Sequence, residues 1–132
     1  MTEPPAKRGA IVLRVDGELC FVPASIALRI APPARVTPVP GSPPDLVGVA
    51  LHEGAIVPVV SVGAARGEMI VCQHAGELVG LVGCEVVGSG AFEVATDNPT
   101  MIRVDGRSVR PLDVAGVYAR VQSGARAGRW AG

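Results

Sequence analysis

The chain has 132 residues, of which 12 are basic and 12 are acidic, so its formal net charge at neutral pH is zero. This balance argues against nucleic acid or an anionic membrane as a partner, because both usually require a basic surface. Hydrophobic residues make up 48% of the chain and charged residues only 18%, which excludes a wholly disordered protein and allows one compact domain.

The first quarter of the chain predicts a hairpin followed by a short helix. Residues 1–9 are polar and are expected to form a loose tail. Residues 11–15 and 18–22 flank an Asp-Gly pair, which favours a two-residue turn. That turn places Leu13 opposite Cys20 and Val12 opposite Phe21 across the ladder. Residues 23–29 are predicted to be helical, because Ser25 can cap a helix and proline is tolerated in a first turn.

The middle of the chain predicts extended structure. Residues 36–44 contain several prolines and are interpreted as extended chain that ends in a turn. Strands are predicted at 46–51 and 55–62. The second strand is apolar at both alternating sets of positions, which predicts burial on two faces, while Pro58 indicates a bulge or a strand edge.

After an internal boundary at residues 63–67, turn signals again alternate with short apolar runs. Strands are expected at 69–74, at 78–82 with a further run to 87, at 92–95, and in a second Asp-Gly hairpin formed by 101–104 and 108–112. Residues 88–90 are expected to be a loop and 97–99 a turn, while 113–121 fits a short helix or a last strand. Turn signals every eight to twelve residues predict an all-β barrel or sandwich.

Few residues suit catalysis. The three cysteines have wide, irregular spacing, which is typical of reduced, buried thiols. Cys72 and His74 would share one face of a strand, so a Cys–His nucleophile or half of a metal site is conceivable there. No third ligand or companion catalytic group is evident, and a buried thiol beside a strand-end histidine is the preferred interpretation.

No membrane span or signal peptide is apparent, so a cytoplasmic protein is expected. No cofactor or metal is expected either.

Several short pieces of the chain follow the order of a known family. That family has a Val-x-Glu-Ile segment, a proline-rich turn, a Gly-Val pair, an Asn-Leu-Arg-Gly turn and a strand ending in Pro-Val-x-Asp-Leu. It continues with Val-Gly-Leu-x-Val-Asp-x-Val and a terminal Leu-Asp. The corresponding pieces here are residues 27–30, 37–43, 48–49, 51–54, 58–62, 79–86 and 112–113. From about residue 11 to residue 118, the chain resembles the CheW-like adaptors that couple chemoreceptors to a histidine kinase.

The resemblance implies a single domain over residues 10–121, between flexible tails at 1–9 and 122–132. The implied fold is all-β, with two intertwined five-stranded SH3-like barrels around a shared hydrophobic middle and a few short helices. No catalytic activity is implied. The implied partners are the cytoplasmic tip of a methyl-accepting chemoreceptor and the regulatory domain of a CheA-type histidine kinase. The protein would be cytoplasmic, recruited to receptor arrays, and would bind no nucleic acid and insert into no membrane.

Two charges are inverted relative to the family pattern. Arg29 stands where the family usually has an acid, and Glu53 stands where it has an arginine. A double reversal suggests an ion pair of swapped polarity; two independent solvated charges are the alternative. Ser61 and Cys84 replace aspartates of the pattern. The resemblance therefore implies a partner-binding set with altered charge, composed of Arg29, Gly48, Val49, Glu53, Ser61 and Cys84.

These changes leave the partners open. Receptor binding with altered kinase binding is one hypothesis. The alternatives are a small β-barrel regulatory module that binds a metabolite or another enzyme, and an enzyme that uses Cys72 and His74.

Overall fold

A computed structural model of the protein describes residues 6–32, 35–41, 46–65 and 67–119. Within these residues it contains ten strands and a short helix, α1, at residues 114–119. The strands are β1 (Lys7–Val15), β2 (Glu18–Pro23), β3 (Ala27–Ala31), β4 (Leu46–His52), β5 (Ala55–Ser61), β6 (Met69–His74), β7 (Glu77–Val82), β8 (Glu85–Glu93), β9 (Ile102–Val104) and β10 (Arg107–Pro111). No helix in the described part of the chain is long and apolar enough to cross a bilayer.

The strands form two five-stranded sheets. One has the order β8-β1-β2-β10-β9 and is called the terminal barrel here; the other has the order β3-β6-β7-β5-β4 and is called the central barrel. A bridge between Val94 and Ile102 joins the two ends of the terminal barrel, and a bridge between Thr37 and Val49 joins the segment after β3 to β4. The chain begins in the terminal barrel, builds the central barrel and then returns. The predicted pair of intertwined five-stranded barrels is confirmed.

The tight hairpins share one turn design. At each turn a residue with positive φ is followed by a glycine with positive φ, the pattern of a type I′ turn. The predicted first hairpin is confirmed, with Leu13 opposite Cys20 and Val12 opposite Phe21. The four turns of this design are Asp16-Gly17, Glu53-Gly54, Ala75-Gly76 and Asp105-Gly106.

The core lies in three clusters, because the inner strands have buried residues on both faces. On β1 and β2, Val12 and Phe21 face the interior of the terminal barrel, whereas Leu13 and Cys20 face a core that lies between the barrels. A third cluster, which includes Met69, fills the central barrel. The core between the barrels, called the shared core here, also receives α1 and is the hydrophobic middle expected from the sequence.

The predicted helix at residues 23–29 is wrong. Pro23 ends β2, a turn follows, and β3 begins at Ala27. The main chain of β3 pairs with β6, and Ile30 packs against the shared core. Pairing with a neighbouring strand therefore outweighs the weak local preference for a helical turn.

The prediction that β5 is buried on both faces holds only for its second half. Val59 and Val60 are buried in different cores, but Ile56 in the first half is 74% exposed. Pro58 lies at a position where the ladder needs no donor. It faces Val49, whose N–H and C=O bond to Thr37 on the other side, and parallel pairing with β7 begins only at Val59. Pro58 thus costs no hydrogen bond although β5 lies between β7 and β4, so its interpretation as a strand edge is wrong.

Smaller differences concern the ends of elements. Residues 88–90 lie inside β8 and pair with β1, so the predicted loop is wrong; this pairing offsets the low strand preference of glycine, although the register shifts just before Gly88. β1 begins at Lys7, which shortens the predicted N-terminal tail. Of the two alternatives for 113–121, residues 114–119 are helical. Residues 1–5, 120–121 and the predicted tail at 122–132 lie outside the described residues.

Candidate protein-binding surface

Large aliphatic side chains are exposed together on the outer face of the central barrel. Leu51 on β4 and Ile56 on β5 face each other across the ladder, and they are 72% and 74% exposed. Leu28 on β3 is also exposed, but it lines a separate depression together with His52 and Ala55. Leu51 and Ile56 are called the apolar patch here. Clustered exposed aliphatic side chains are typical of interaction sites, whereas single ones are common on any surface.

An ion pair lies beside the apolar patch. The Arg29 guanidinium on β3 donates to the carboxylate of Glu53, and both side chains are more than half exposed. Glu53 occupies the first position of the β4–β5 turn with a φ of 48°, which directs its side chain toward β3. Its second oxygen lies 3.9 Å from Nε2 of His52. The two charges that the sequence suggested as a pair are therefore in contact.

The ion pair spans a seam of the central barrel. β3 and β4 lie at opposite ends of the sheet order, so this barrel closes only where those ends meet. Among the described residues, the ends are joined by the pair of backbone bonds between Thr37 and Val49, at 2.8 and 2.9 Å, and by the Arg29–Glu53 contact. Gly48 permits the backbone closure, because a Cβ there would lie 2.2 Å from the Thr37 carbonyl oxygen.

The remaining predicted site residues differ in accessibility. Gly48 is buried and Val49 half-buried in β4, beside the seam. Ser61 is half-buried at the end of β5 and donates to the Gly63 carbonyl at 2.8 Å. Cys84 is fully buried in the shared core. Its proposed role in contacting a partner is therefore wrong for this folded state, since its thiol does not reach the surface.

A groove of about 630 Å³ lies at the Ser61 end of the central barrel. Its walls are mostly aliphatic or small side chains, including Val47 and Ala65. The floor is narrow because the backbones of Gly63 and Gly83 nearly touch; a Cβ on Gly83 would lie 2.1 Å from the Gly63 carbonyl oxygen. The same loop is tied to the terminal barrel by the Ala64 N–H, which donates to Oδ1 of Asp16 at 3.0 Å.

The Cys72–His74 pair is not arranged for nucleophilic chemistry. Burial, and secondarily the negative charge of Cys84, raises the pKa of the Cys72 thiol to about 12, so the reactive thiolate is disfavoured. The His74 ring packs edge-on against Tyr118 at 5.6 Å between ring centroids. Within the described ranges, no group of three potential metal ligands is close enough to hold an ion.

Sequence reasoning missed the apolar patch. The segment 46–52 is apolar on both alternating sets, so its pattern does not show which set faces water. A usable signal was residue size: Gly48 and Ala50 alternate with Val49 and Leu51. The small set faces inward, where the barrel is narrow, and the large set faces outward.

Comparisons with known proteins agree with this architecture. A family model described as the CheW-like domain matches residues 9–109. The crystal structure of the scaffolding protein TtCheW from Thermoanaerobacter tengcongensis superimposes with a TM-score of 0.68 at 13% identity, covering 86% of this chain and 93% of that one. No curated protein matches the chain in a sequence search. Because the family model spans most of the chain, this protein belongs to the CheW-like family, whose members are non-catalytic scaffolds of chemotaxis signalling.

Proposed function

We propose that this protein is an adaptor that couples methyl-accepting chemoreceptors to a CheA-type histidine kinase. The observation that carries the proposal is the apolar patch beside the Arg29–Glu53 ion pair, on a barrel of the CheW-like fold. The adaptor works in the cytoplasm at receptor arrays. It holds its partners by surface contacts and needs no cofactor.

The apolar patch is the proposed kinase-binding surface. Burying an exposed Leu or Ile side chain contributes about 1.5–3 kcal/mol, so Leu51 and Ile56 supply the apolar centre that a small interface needs. Arg29 and Glu53 lie at its edge, where charges select partners more than they add affinity. Because both charges are inverted relative to the family pattern, this adaptor requires a kinase with matching charges and binds a typical one weakly.

The groove near Ser61 is the proposed receptor-binding surface. A helix places one apolar stripe into such a groove, and small residues on the walls let the helix approach closely. Ala65 is exposed on the groove wall, and Val47 is exposed on β4 beside it. The groove contains neither Arg29 nor Glu53, so receptor binding is independent of the inverted charges.

Calorimetry with a receptor cytoplasmic tip and a kinase regulatory domain tests this function. Replacing both Leu51 and Ile56 by Asp is expected to weaken kinase binding at least tenfold and to leave receptor binding unchanged. Replacing Ala65 by Trp, which fills the groove, is expected to do the reverse. The matched control is Val87→Asp, since Val87 is also exposed but lies on β8 of the terminal barrel.

Failure of the wild-type protein to bind either partner would contradict the coupling function. Equal losses from the patch variant and the Val87 control would instead contradict the assignment of the apolar patch, because the effect would then follow from added charge alone.

A further inference from the structure

Two parallel strands of the terminal barrel, β2 and β10, pair over only a short stretch. Their ladder consists of Arg110 opposite Cys20 and Pro111 opposite Phe21, and it is not extended back to Leu19. Because the two strands run in the same direction, their first residues form the walls of a cleft of about 380 Å³. This β2–β10 cleft is lined by Gly17, Glu18, Leu19, Met101, Arg107, Ser108, Val109 and Arg110.

The walls of the cleft are two strand edges. Beyond a two-residue turn, alternate residues of a hairpin direct their N–H and C=O groups away from the partner strand. On β10, Arg107 flanks the turn and pairs with β9, so the backbone groups of Ser108 point to the cleft. On β2, Glu18 flanks the turn and pairs with β1. The Leu19 C=O takes part in the bridge between Arg110 and Cys20, so only the Leu19 N–H is left to point to the cleft. A continued ladder would join this N–H to the Ser108 carbonyl, but the pairing ends one residue earlier.

The cleft is also bordered by positive charge. Arg107 and Arg110 line it, and Arg103 lies opposite Ser108 on β9; all three are exposed. Among the described residues, none of these arginines is within ion-pair distance of a carboxylate. Of the described residues that line the cleft, Glu18 is the one acid.

We propose that the β2–β10 cleft binds an extended acidic segment of a partner protein. The segment adds as a short strand, and its backbone pairs with the N–H and C=O of Ser108 and with the N–H of Leu19. Its carboxylates pair with Arg107 and Arg110, since arginine suits carboxylates in geometry and charge. This inference concerns the terminal barrel and does not rest on the proposed coupling function.

An extended peptide fits these features better than a membrane or nucleic acid. A flat phosphate surface reaches exposed arginines, but it does not enter a cleft to bond with backbone groups. A chain of zero net charge with three arginines here also lacks the broad basic surface that polyanions require.

The test uses the full-length protein and a labelled probe, the peptide acetyl-(Glu-Val)4-amide, with fluorescence anisotropy as the readout. We expect saturable binding that weakens when salt is raised, because exposed ion pairs are screened. Exchanging Arg107 and Arg110 for Glu should weaken binding at least tenfold, and for Gln severalfold. Lys7→Glu is the matched control, since Lys7 is an exposed cation on β1 without an ion-pair partner in the described chain; it should change binding less than twofold.

A second variant tests strand addition separately. Ser108→Pro removes a backbone N–H that points to the cleft but keeps both arginines, and we expect it to weaken binding severalfold. Circular dichroism verifies that each variant folds. The proposal is overturned if the probe does not bind, if acetyl-(Lys-Val)4-amide binds equally well, or if the Gln variant binds like wild type. Arginine-dependent binding to phosphatidylserine vesicles without binding to the probe would also overturn it, in favour of a membrane.

Discussion

The two barrels have the same number of strands and face one core, yet they present different surfaces. The central barrel exposes Leu28, Leu51 and Ile56, and its seam is joined by the Arg29–Glu53 ion pair. The terminal barrel exposes a group of arginines beside a cleft where its own ladder is incomplete. The outer faces of the two barrels can therefore differ, because the barrels are stabilised by the clusters in their interiors and by the shared core between them.

The largest expected effect tests whether the shared core makes the barrels one unit. Phe21 fills the terminal barrel and Met69 the central barrel, and both are almost completely buried. Phe21→Ala should cost about 3–5 kcal/mol and Met69→Ala about 2–5 kcal/mol of unfolding free energy. Chemical denaturation measures the cost, and hydrogen exchange reports each barrel separately.

Either substitution should lower amide protection in both barrels, because the shared core couples them. Leu28→Ala, at an exposed position of β3, is the control and should change stability by less than about 0.5 kcal/mol. Loss of protection confined to the substituted barrel would show that the barrels unfold independently.

A second experiment examines the seam that is particular to the central barrel. Gly48→Ala places a Cβ against the Thr37 backbone, so closure must loosen at an expected cost of about 1–3 kcal/mol. Gly88→Ala is the matched change in the terminal barrel, where a Cβ meets no atom within 4 Å. That variant should be neutral or slightly stabilising in thermal denaturation. Equal effects at both glycines would contradict the role assigned to the seam.

The third prediction concerns a thiol between the barrels. Burial raises the pKa of Cys72 from 9.0 to about 12, so the unfolded chain loses its proton at a lower pH than the folded chain. The raised pKa therefore contributes to the unfolding free energy. This contribution is fully present below pH 9 and is lost as the pH rises from 9 toward 12. By pH 10 it should have fallen by about 1.4 kcal/mol. The difference in unfolding free energy between wild type and Cys72→Ala measures this term and should decline over that range; a constant difference would contradict it.

The smallest effect compares one surface ion pair from each barrel. Arg29 with Glu53 joins β3 to the β4–β5 turn, and Arg14 with Glu85 joins β1 to β8 at 3.7 Å. For each pair, a double-mutant cycle reverses the basic residue alone, the acidic residue alone and both together. The coupling energy should be about 0.2–1 kcal/mol for Arg29–Glu53 and less for Arg14–Glu85. Additive single effects at Arg29 and Glu53 would mean that the contact adds nothing to closure of the central barrel.

The sequence predicted much of the frame, because strands and tight turns depend on local chemistry. The Asp-Gly pairs at 16–17 and 105–106 led to the correct hairpins, and for the first hairpin the predicted register is also correct. The helix predicted at 23–29 failed, since β3 pairs with β6, whose residues lie 38 to 45 positions further along the chain. The prediction of burial on both faces of β5 failed at Ile56 for a similar reason. Both faces of β5 are apolar, so the sequence does not show that Ile56 is exposed to solvent; this depends on where the strand lies in the barrel.

The candidate site was predicted less completely. The sequence indicates the Arg29–Glu53 pair, because both charges are inverted relative to the family pattern. The neighbouring apolar patch was missed, and Cys84 was assigned to a surface although it lies in the shared core. A family pattern identifies positions that vary in charge, but it contains no information on which side chains reach solvent.

By itself, the sequence determined the class of fold, the hairpin turns and the family, since all three depend on residue order over short distances. The tertiary structure alone decided which apolar residues remain exposed, that Arg29 and Glu53 meet across a barrel seam, and that β2 and β10 separate to leave a cleft. These features arise where segments distant in sequence are brought together, and their energy comes from contacts that no single segment contains.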